Sequence, residues 1–246
     1  MAEQINEAYI GSGIVYINGR DVGNCSNVNF AIEQETQSQR NYRGGGGNFA
    51  SVTTVSAVNL SMELANFSNA NLALALRGVV ESVAAGSVAD EVVVAVAGGL
   101  AETSKMIDVS AAANTVTVTD GAEVDPVTYV QGTDYEVTAA GLKILSGGAI
   151  TDEQELTVSY DNQGTNVLQA LVDSGQEVRV VLDGINDATG KPVTVKVHRW
   201  KPSPTSGLGL ISDGFSTFTI EGEVLADESI QASGKSKFFT RAAAAA

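Results

Sequence analysis

Few side chains in this chain are of a type that does chemistry, and their spacing argues against it. His198 is the single histidine. In Val193-Thr-Val-Lys-Val-His-Arg-Trp200 the alternation puts it beside Thr194 and Lys196 on one strand face, a surface position. Cys25 is the only cysteine, which excludes an intramolecular disulfide and any multi-cysteine metal site. A Cys25–His198 pair lacks a nucleophile motif around the thiol. Gly44 to Gly47 are not followed by the Lys-Ser or Lys-Thr that a phosphate-binding loop needs, so they read as a mobile contact loop. Asp183, Asn186 and Asp187 lack the ligand spacing of an EF-hand and read as a turn. Paired carboxylates are plentiful, yet no aromatic sugar platform accompanies them, which argues against glycoside hydrolysis. Arg40 and Arg43 on an acidic chain leave a weak footprint for nucleic acid. The expectation is a protein with no catalytic residues, no metal and no cofactor.

The elements around these residues are mostly strands. In Ser26 to Glu33, Val28, Phe30 and Ile32 alternate with Asn27, Asn29 and Ala31. In Ala57 to Leu64, Val58, Leu60, Met62 and Leu64 alternate with Asn59, Ser61 and Glu63. A period of two means one buried and one polar face. Arg40-Asn-Tyr-Arg-Gly-Gly-Gly-Gly-Asn48 joins them, a loop costly to order unless a neighbour orders it. Ser68 caps a short helix, Phe67 and Leu72 stand at staple positions, Leu72 and Leu76 share a face, and Gly78 ends it. A second helix is expected from Thr165 or Asn166 through Leu168, Leu171 and Val172 to a stop at Gly175. Strands follow at Glu177 to Leu182, Pro192 to Trp200, Phe215 to Leu225 and Lys235 to Thr240, with turns at Asp183-Gly184 and Thr189-Gly190. The closing run Ala242 to Ala246 has helix propensity but too little length to fold alone.

With 246 residues and 43% hydrophobic content the chain can bury a proper core, while 6% aromatic content and 26 glycines suit many short strands and turns. No apolar stretch is long enough for a membrane span, and Met1 to Glu7 carry no secretory pattern. A soluble product made in a cytoplasm is the expectation. Of the net charge of −15, the window from Ala84 to Asp161 holds −11, with 13 acids against Lys105 and Lys143. That shift marks domain boundaries near Gly78 and Gln163. Within the window Glu91 to Ala97, Thr115 to Thr119, Thr128 to Val130, Tyr135 to Thr138, Leu142 to Leu145 and Glu155 to Tyr160 are short β-branched runs separated by Gly and Asp. Their spacing fits a compact Ig-like sandwich.

The hairpin Gly13-Ile-Val-Tyr-Ile-Asn-Gly-Arg-Asp-Val-Gly23, the two long strands around their loop, the segment Phe67-Ser-Asn-Ala-Asn-Leu-Ala-Leu-Ala-Leu-Arg-Gly78 and the run Asp213 to Asp227 together resemble the tail tube (major tail) proteins of long-tailed bacteriophages. The stretch from Gly132 to Tyr160 is similar to small β-modules inserted in phage tail proteins. The resemblance implies a mainly β protein. Residues 1–78 and 164–246 would form a tail-tube β-sandwich or partial barrel with one or two flanking helices, and residues 79–163 an inserted all-β domain on the outer surface. It also implies hexameric rings stacked into a tube within a virion. The partners would be further copies of the chain and the tail tip, terminator and tape-measure proteins. Genomic DNA would pass through without specific binding and without a membrane.

If the sheets line a channel, their polar faces meet the DNA: Asn27, Asn29, Glu33 and Glu35 on one strand, Asn59, Ser61 and Glu63 on the next, together with Glu177. Carboxylates and small amides do not trap phosphate, whereas a basic lining does so through counterion release. Arg40, Tyr42, Arg43, Gly44, Gly45, Gly46 and Gly47 would make the contact between rings. The alternatives are a related secretion-tube, baseplate-ring or tail-terminator protein, and a β-rich adhesin or carbohydrate-binding module with the acidic domain as its head. An enzyme ranks last.

Overall fold

The computed structural model describes residues 8–110 and 115–244. Met1 to Glu7, read above for targeting signals, and the last two alanines of the terminal run lie outside the described residues. In chain order come β1 (Gly11–Ile17), β2 (Arg20–Asp21), β3 (Cys25–Arg40), β4 (Asn48–Leu64), helix α1 (Asn69–Ala75) and β5 (Val79–Val83). Then follow β6 (Gly86–Val94), β7 (Leu100–Glu102), β8 (Thr117–Thr119), β9 (Tyr135–Thr138), β10 (Gly141–Ile144) and β11 (Glu155–Asn162). The chain returns through β12 (Thr165–Gln169), which pairs with β5, and ends with β13 (Val178–Asn186), β14 (Lys191–Pro202), β15 (Phe218–Leu225) and β16 (Phe239–Ala243). Contacts divide it into two compact units, Met1–Val80 with Leu168–Ala246, and Glu81–Val167. The protein is mainly β and sandwich-like, and none of the sheets closes into a barrel.

The first unit is one eight-stranded sheet in the order β2-β1-β13-β14-β15-β4-β3, with β16 also on β14. β14 makes this sheet two layers. Its Val193–Val197 half bonds to β16 and its Arg199–Pro202 half to β15, while β13 runs along the opposite edge. The sheet folds over there, so that Val15, Val180, Leu182, Val195 and Val197 of one layer meet Val28, Phe30 and Leu60 of the other. Phe30 stacks on Phe239 with ring centroids 4.5 Å apart.

Alternation along each strand supplies the core: Leu60, Met62, Leu64, Ile220 and Trp200 are fully buried, each worth about 1.5–3 kcal/mol relative to exposure. Helix α1 packs Leu72 and Ala75 onto this core, and Phe67 before it meets Phe218 edge-on at 5.0 Å. Buried Asn71 is satisfied on both sides: its Nδ2 donates to Val22 O (2.8 Å) and Asn66 O (3.0 Å), and its Oδ1 accepts from Arg20 (2.8 Å). The Ser68 hydroxyl caps the helix by accepting from Asn71 N–H. At the far end Arg77, not Gly78, takes the left-handed conformation (φ 45°). Its guanidinium is held by Pro202 O, to which Nη2 donates at 2.9 Å.

Several expectations are corrected. The segment from Thr165 forms β12 and a loop, not a helix, and Leu171 has a positive φ of 61°. The Leu168/Leu171/Val172 spacing offers a stripe with nothing to cover, since Leu171 and Val172 stay exposed. A lone short helix cannot meet its nucleation cost, whereas pairing with β5 satisfies the backbone at once. Asp183-Gly184 is not a turn but the middle of β13, where Gly184 faces Gly13 across the ladder. A side chain on Gly13 would lie 2.5 Å from Asp183 O, so the glycines permit close pairing.

β3 and β4 run well beyond the alternating segments, to 16 and 17 residues, because register continues after the hydrophobic pattern stops. Arg40 and Asn48 pair as the last rung, leaving Asn41 to Gly47 as the loop. Thr128 to Val130 makes only an isolated bridge, Thr119 to Thr128. The last strand is shifted to Phe239–Ala243, so Ala242 and Ala243 pair with β14 and are not helical.

The second unit stacks two three-stranded sheets, β7-β10-β9 and β6-β11-β8, around a separate core that includes Ile107, Val118, Tyr135, Leu142, Leu156, Val158 and Tyr160. Asp134 accepts from Val130 N–H and Ala149 N–H, both at 2.8 Å. These donors hold its carboxyl below the ordinary range.

Trp200 is the chain's one tryptophan and belongs to the first core, so its fluorescence reports that unit. Leu60→Ala will lower urea stability read at Trp200 by about 2–5 kcal/mol. Leu156→Ala, in the other core, will leave the Trp200 midpoint unchanged while lowering the far-ultraviolet transition of the insert.

Candidate functional site

The side of the β3–β4–β15 layer turned away from the core carries an array of polar side chains. Register sets its rows: Asn27, Glu63 and Thr219 share one rung, Asn29, Ser61 and Glu221 the next, and Ala31, Asn59 and Glu223 the third, with Lys201 of β14 opposite Glu223. The rungs between them, Val28–Met62–Ile220 and Phe30–Leu60–Gly222, turn inward.

Of the residues singled out from sequence, Asn27, Asn29, Glu33, Asn59, Ser61 and Glu63 therefore come together on one face. Glu35 follows Glu33 on the same strand but lies beyond a bulge at Ser56 of β4, on the outer part of the hairpin, where it pairs with Thr54 and no third strand flanks the ribbon. Glu177 stands just before β13 and is gripped by Arg199, whose Nε and Nη2 donate to its two carboxylate oxygens at 2.8 and 3.0 Å. That bidentate pair lowers the Glu177 carboxyl and neutralises it locally.

Thr219, Glu221 and Glu223 are the members that the reading of the sequence missed. Strict alternation with Phe218, Ile220 and Val224 was the signal that would have found them.

The carboxylates on this face are held by hydroxyls and amides. Glu63 accepts from Thr217 Oγ1 at 2.6 Å and Ser26 Oγ at 2.9 Å, and Glu33 from Asn59 Nδ2 at 3.0 Å. The two hydroxyls hold the Glu63 carboxyl below its ordinary range. The face is thus a row of carboxylates and neutral amides, with Lys201 and the Glu177-paired Arg199 of β14 at its margin.

The hairpin tip is the second feature. Gly44, Gly45, Gly46 and Gly47 all have positive φ between 73° and 93°, a run that side-chain-bearing residues cannot follow without strain. Asn41 closes the tip: its N–H donates to Gly47 O, its Nδ2 to Gly44 O, and its Oδ1 accepts from Arg43 N–H. Arg40 ends β3, Tyr42 and Arg43 are exposed in the loop, and Phe49, Val52 and Val55 of the ribbon are also exposed. β3 is the last strand of its sheet, so its outer edge is unpaired.

The groups examined for chemistry form no catalytic constellation. Cys25 Sγ donates to Asn27 O, and burial pushes its thiol up, the opposite of an activated nucleophile. His198 is half-buried and not a surface residue, because Phe238 crosses it and accepts from its backbone N–H, and its Nε2 has no partner. Asn186 is a turn staple whose Oδ1 accepts from Ile10 and Ala188 N–H, while Asp187 accepts from Ser12. Among the described residues no group of three or more His, Cys, Asp or Glu is placed to hold a metal ion. Also among them, no helix is long and apolar enough to cross a membrane.

Fold and site together define a two-unit, mainly β protein that presents an acidic polar sheet face and an open sheet edge. Residues 8–242 match the model of a family described as "Protein of unknown function UCP028589", and the chain belongs to that family. No curated protein matches it.

Because Glu63 titrates lower folded than unfolded, it favours the native state above the unfolded carboxyl value, near 4.3. That contribution disappears as pH falls through the folded value. In Thr217→Val/Ser26→Ala the Glu63 carboxyl will titrate closer to that unfolded value by NMR, and the acid-unfolding midpoint will move to higher pH.

Proposed function

We propose that this protein is a structural subunit that assembles with copies of itself into stacked rings, as in the tail tube of a long-tailed bacteriophage, where the rings form the conduit for DNA. The observation that carries this reading is the coincidence, on one layer, of an acidic and amide face with an unpaired edge along β3. A sheet with open ends can be continued by the next subunit, and a head-to-tail contact that rotates closes into a ring. The β3–β4–β15 face then lines the inside. Its fixed carboxylates repel phosphate and its amides bind it weakly, so a duplex slides without being trapped. By resemblance the ring is a hexamer, the tail tip, terminator and tape-measure proteins are its partners, and the acidic second unit lies outside, where its charge keeps the assembly soluble.

The glycine-tipped hairpin supplies the contact between rings. Its ribbon leaves Phe49, Val52 and Val55 in solvent, and burying them offsets the entropy lost when the Gly44–Gly47 tip is fixed. Chains then remain separate until a growing end offers the complementary surface.

Negative-stain microscopy of the purified protein across a concentration series will show hollow rings or tubes, and monomers at every concentration would count against the reading. Glu33→Lys/Glu63→Lys will still form rings, but phage carrying it will eject DNA more slowly. Unchanged ejection would remove the lumen assignment. Deleting Gly44 to Gly47 will stop tube growth while the circular dichroism of the monomer is kept, and tubes of normal length would refute the role of the tip.

A further inference from the structure

Between β14 and β15 the chain makes a long excursion whose tip carries three large apolar side chains in solvent: Leu210 is 75% exposed, Ile211 98% and Phe215 105%. A folded protein seldom leaves such a group uncovered on one loop. The loop is held outward at both ends. Thr205 N–H donates to Ala75 O, Leu208 packs on the core, and Phe218 is buried where β15 begins. Its tip is braced internally, with Ser212 Oγ donating to Gly214 O at 2.6 Å and sharing a hydrogen bond with Ser216 Oγ at 2.7 Å.

The same unit holds an open groove of about 520 Å³ lined by Ile17, Ala70, Ala73, Leu74, Val178 and Pro202. Arg20 and Arg77 stand on its walls. Each uses part of its guanidinium internally, Arg20 on Asn71 Oδ1 and Arg77 on Pro202 O. Among the described residues neither is in an ion pair. Asp173, also on the wall, is engaged by Gly175 N–H. The groove therefore presents apolar walls with two guanidinium groups against one carboxylate, a net positive lining.

We propose that the Leu210–Phe215 tip of one copy seats in this groove on the next copy, with Ile211 and Phe215 against α1 and Asp213 facing Arg20 and Arg77. Asp213 is the only charged residue between Ser203 and Thr217, so one acid meets a groove whose two bases outnumber its single acid, Asp173. The tip is braced on itself with Ile211 and Phe215 in solvent, so it does not fill its own groove. Loop and groove are different surfaces, so the contact is head-to-tail and leaves each copy with one of each still unused. It is too small to hold two chains by itself and acts as the anchor of a wider interface. This deepens the self-assembly reading and rests on it.

The test uses two full-length chains in a Cys25→Ala background, one with Ile211→Cys and the other with Ala73→Cys, mixed and oxidised across a concentration series. A disulfide joining one chain of each kind, growing with concentration, is the expected result. Adding Phe215→Ser will cut the yield about tenfold or more, and because Phe215 is fully exposed the fold will not suffer. Particles that assemble without the mixed disulfide would overturn this contact and leave self-assembly standing. Monomers at every concentration, with no disulfide, would overturn both. As a control, a single Cys25→Ala chain carrying both Ile211→Cys and Ala73→Cys is oxidised alone: closure within that chain while the mixed pair stays unlinked would place the loop in its own groove and overturn the proposal.

Discussion

The change of partner along β14 is the constraint on which the first unit depends. A strand has two edges, and β14 keeps β13 on one while the other passes from β16 to β15 between Val197 and Arg199. A register shift in β13 between Val178 and Val180 accompanies the change, and extra twist at such a point is what lets a sheet fold over on itself. Trp200 sits just past the crossover and is fully buried. Removing either half of the pairing would leave a flat sheet with an uncovered apolar face, and the polar face could not be held in its present rows.

Once the layers are fixed, alternation decides which chemistry each face can have. Every residue of the β3–β4–β15 layer that packs inward forces its neighbour outward. Asn59, Ser61 and Glu63 are aligned because Leu60, Met62 and Leu64 are buried. The core thus sets the direction of the outer row, and Thr217 and Ser26 hold the Glu63 carboxylate in place. Beyond the bulge after Glu33 this coupling ends. There the ribbon has no core face, its residues are exposed on both sides, and hydrogen bonds alone hold it, those of the ladder together with Thr36–Thr53 and the Asn41 closure.

That difference also sets what could be read from the sequence. The six polar residues that converge were legible because they alternate with apolar ones. Glu35 was assigned with them, but its place past the bulge, where the ribbon leaves the third strand, leaves no mark in hydrophobic period. Glu177 was read correctly as polar, but its capture by Arg199 depends on a pairing across the sheet that local sequence does not contain. Ser68, which caps α1, was visible from its type and position. The false helix after Thr165 shows the limit of the same method. A few leucines at helical spacing match a stripe, yet only tertiary contact decides whether a stripe has anything to cover, and here β5 offered backbone bonds instead. Asp183-Gly184 misled for a related reason, since a glycine needed for close strand approach looks in sequence like one needed for a turn.

The unpaired edge of β3 is a hazard for any isolated subunit, because a long edge strand is a template for indiscriminate pairing. This chain has features that restrain it. Glu33 and Glu35 place charge on the strand itself, and the second unit, with most of the net charge of −15, adds a repulsion that must be overcome before two copies meet. Repulsion of that kind acts at long range and is screened by salt, whereas strand pairing and apolar burial act only at contact. Under the proposed reading the two ranges do different work. Charge keeps free copies apart, and only a partner that satisfies the β3 edge, the hairpin and the loop groove together gains enough at contact to overcome it. Adding salt should therefore promote association without changing its geometry. An edge that paired indiscriminately would instead give amorphous aggregate as the charge was screened.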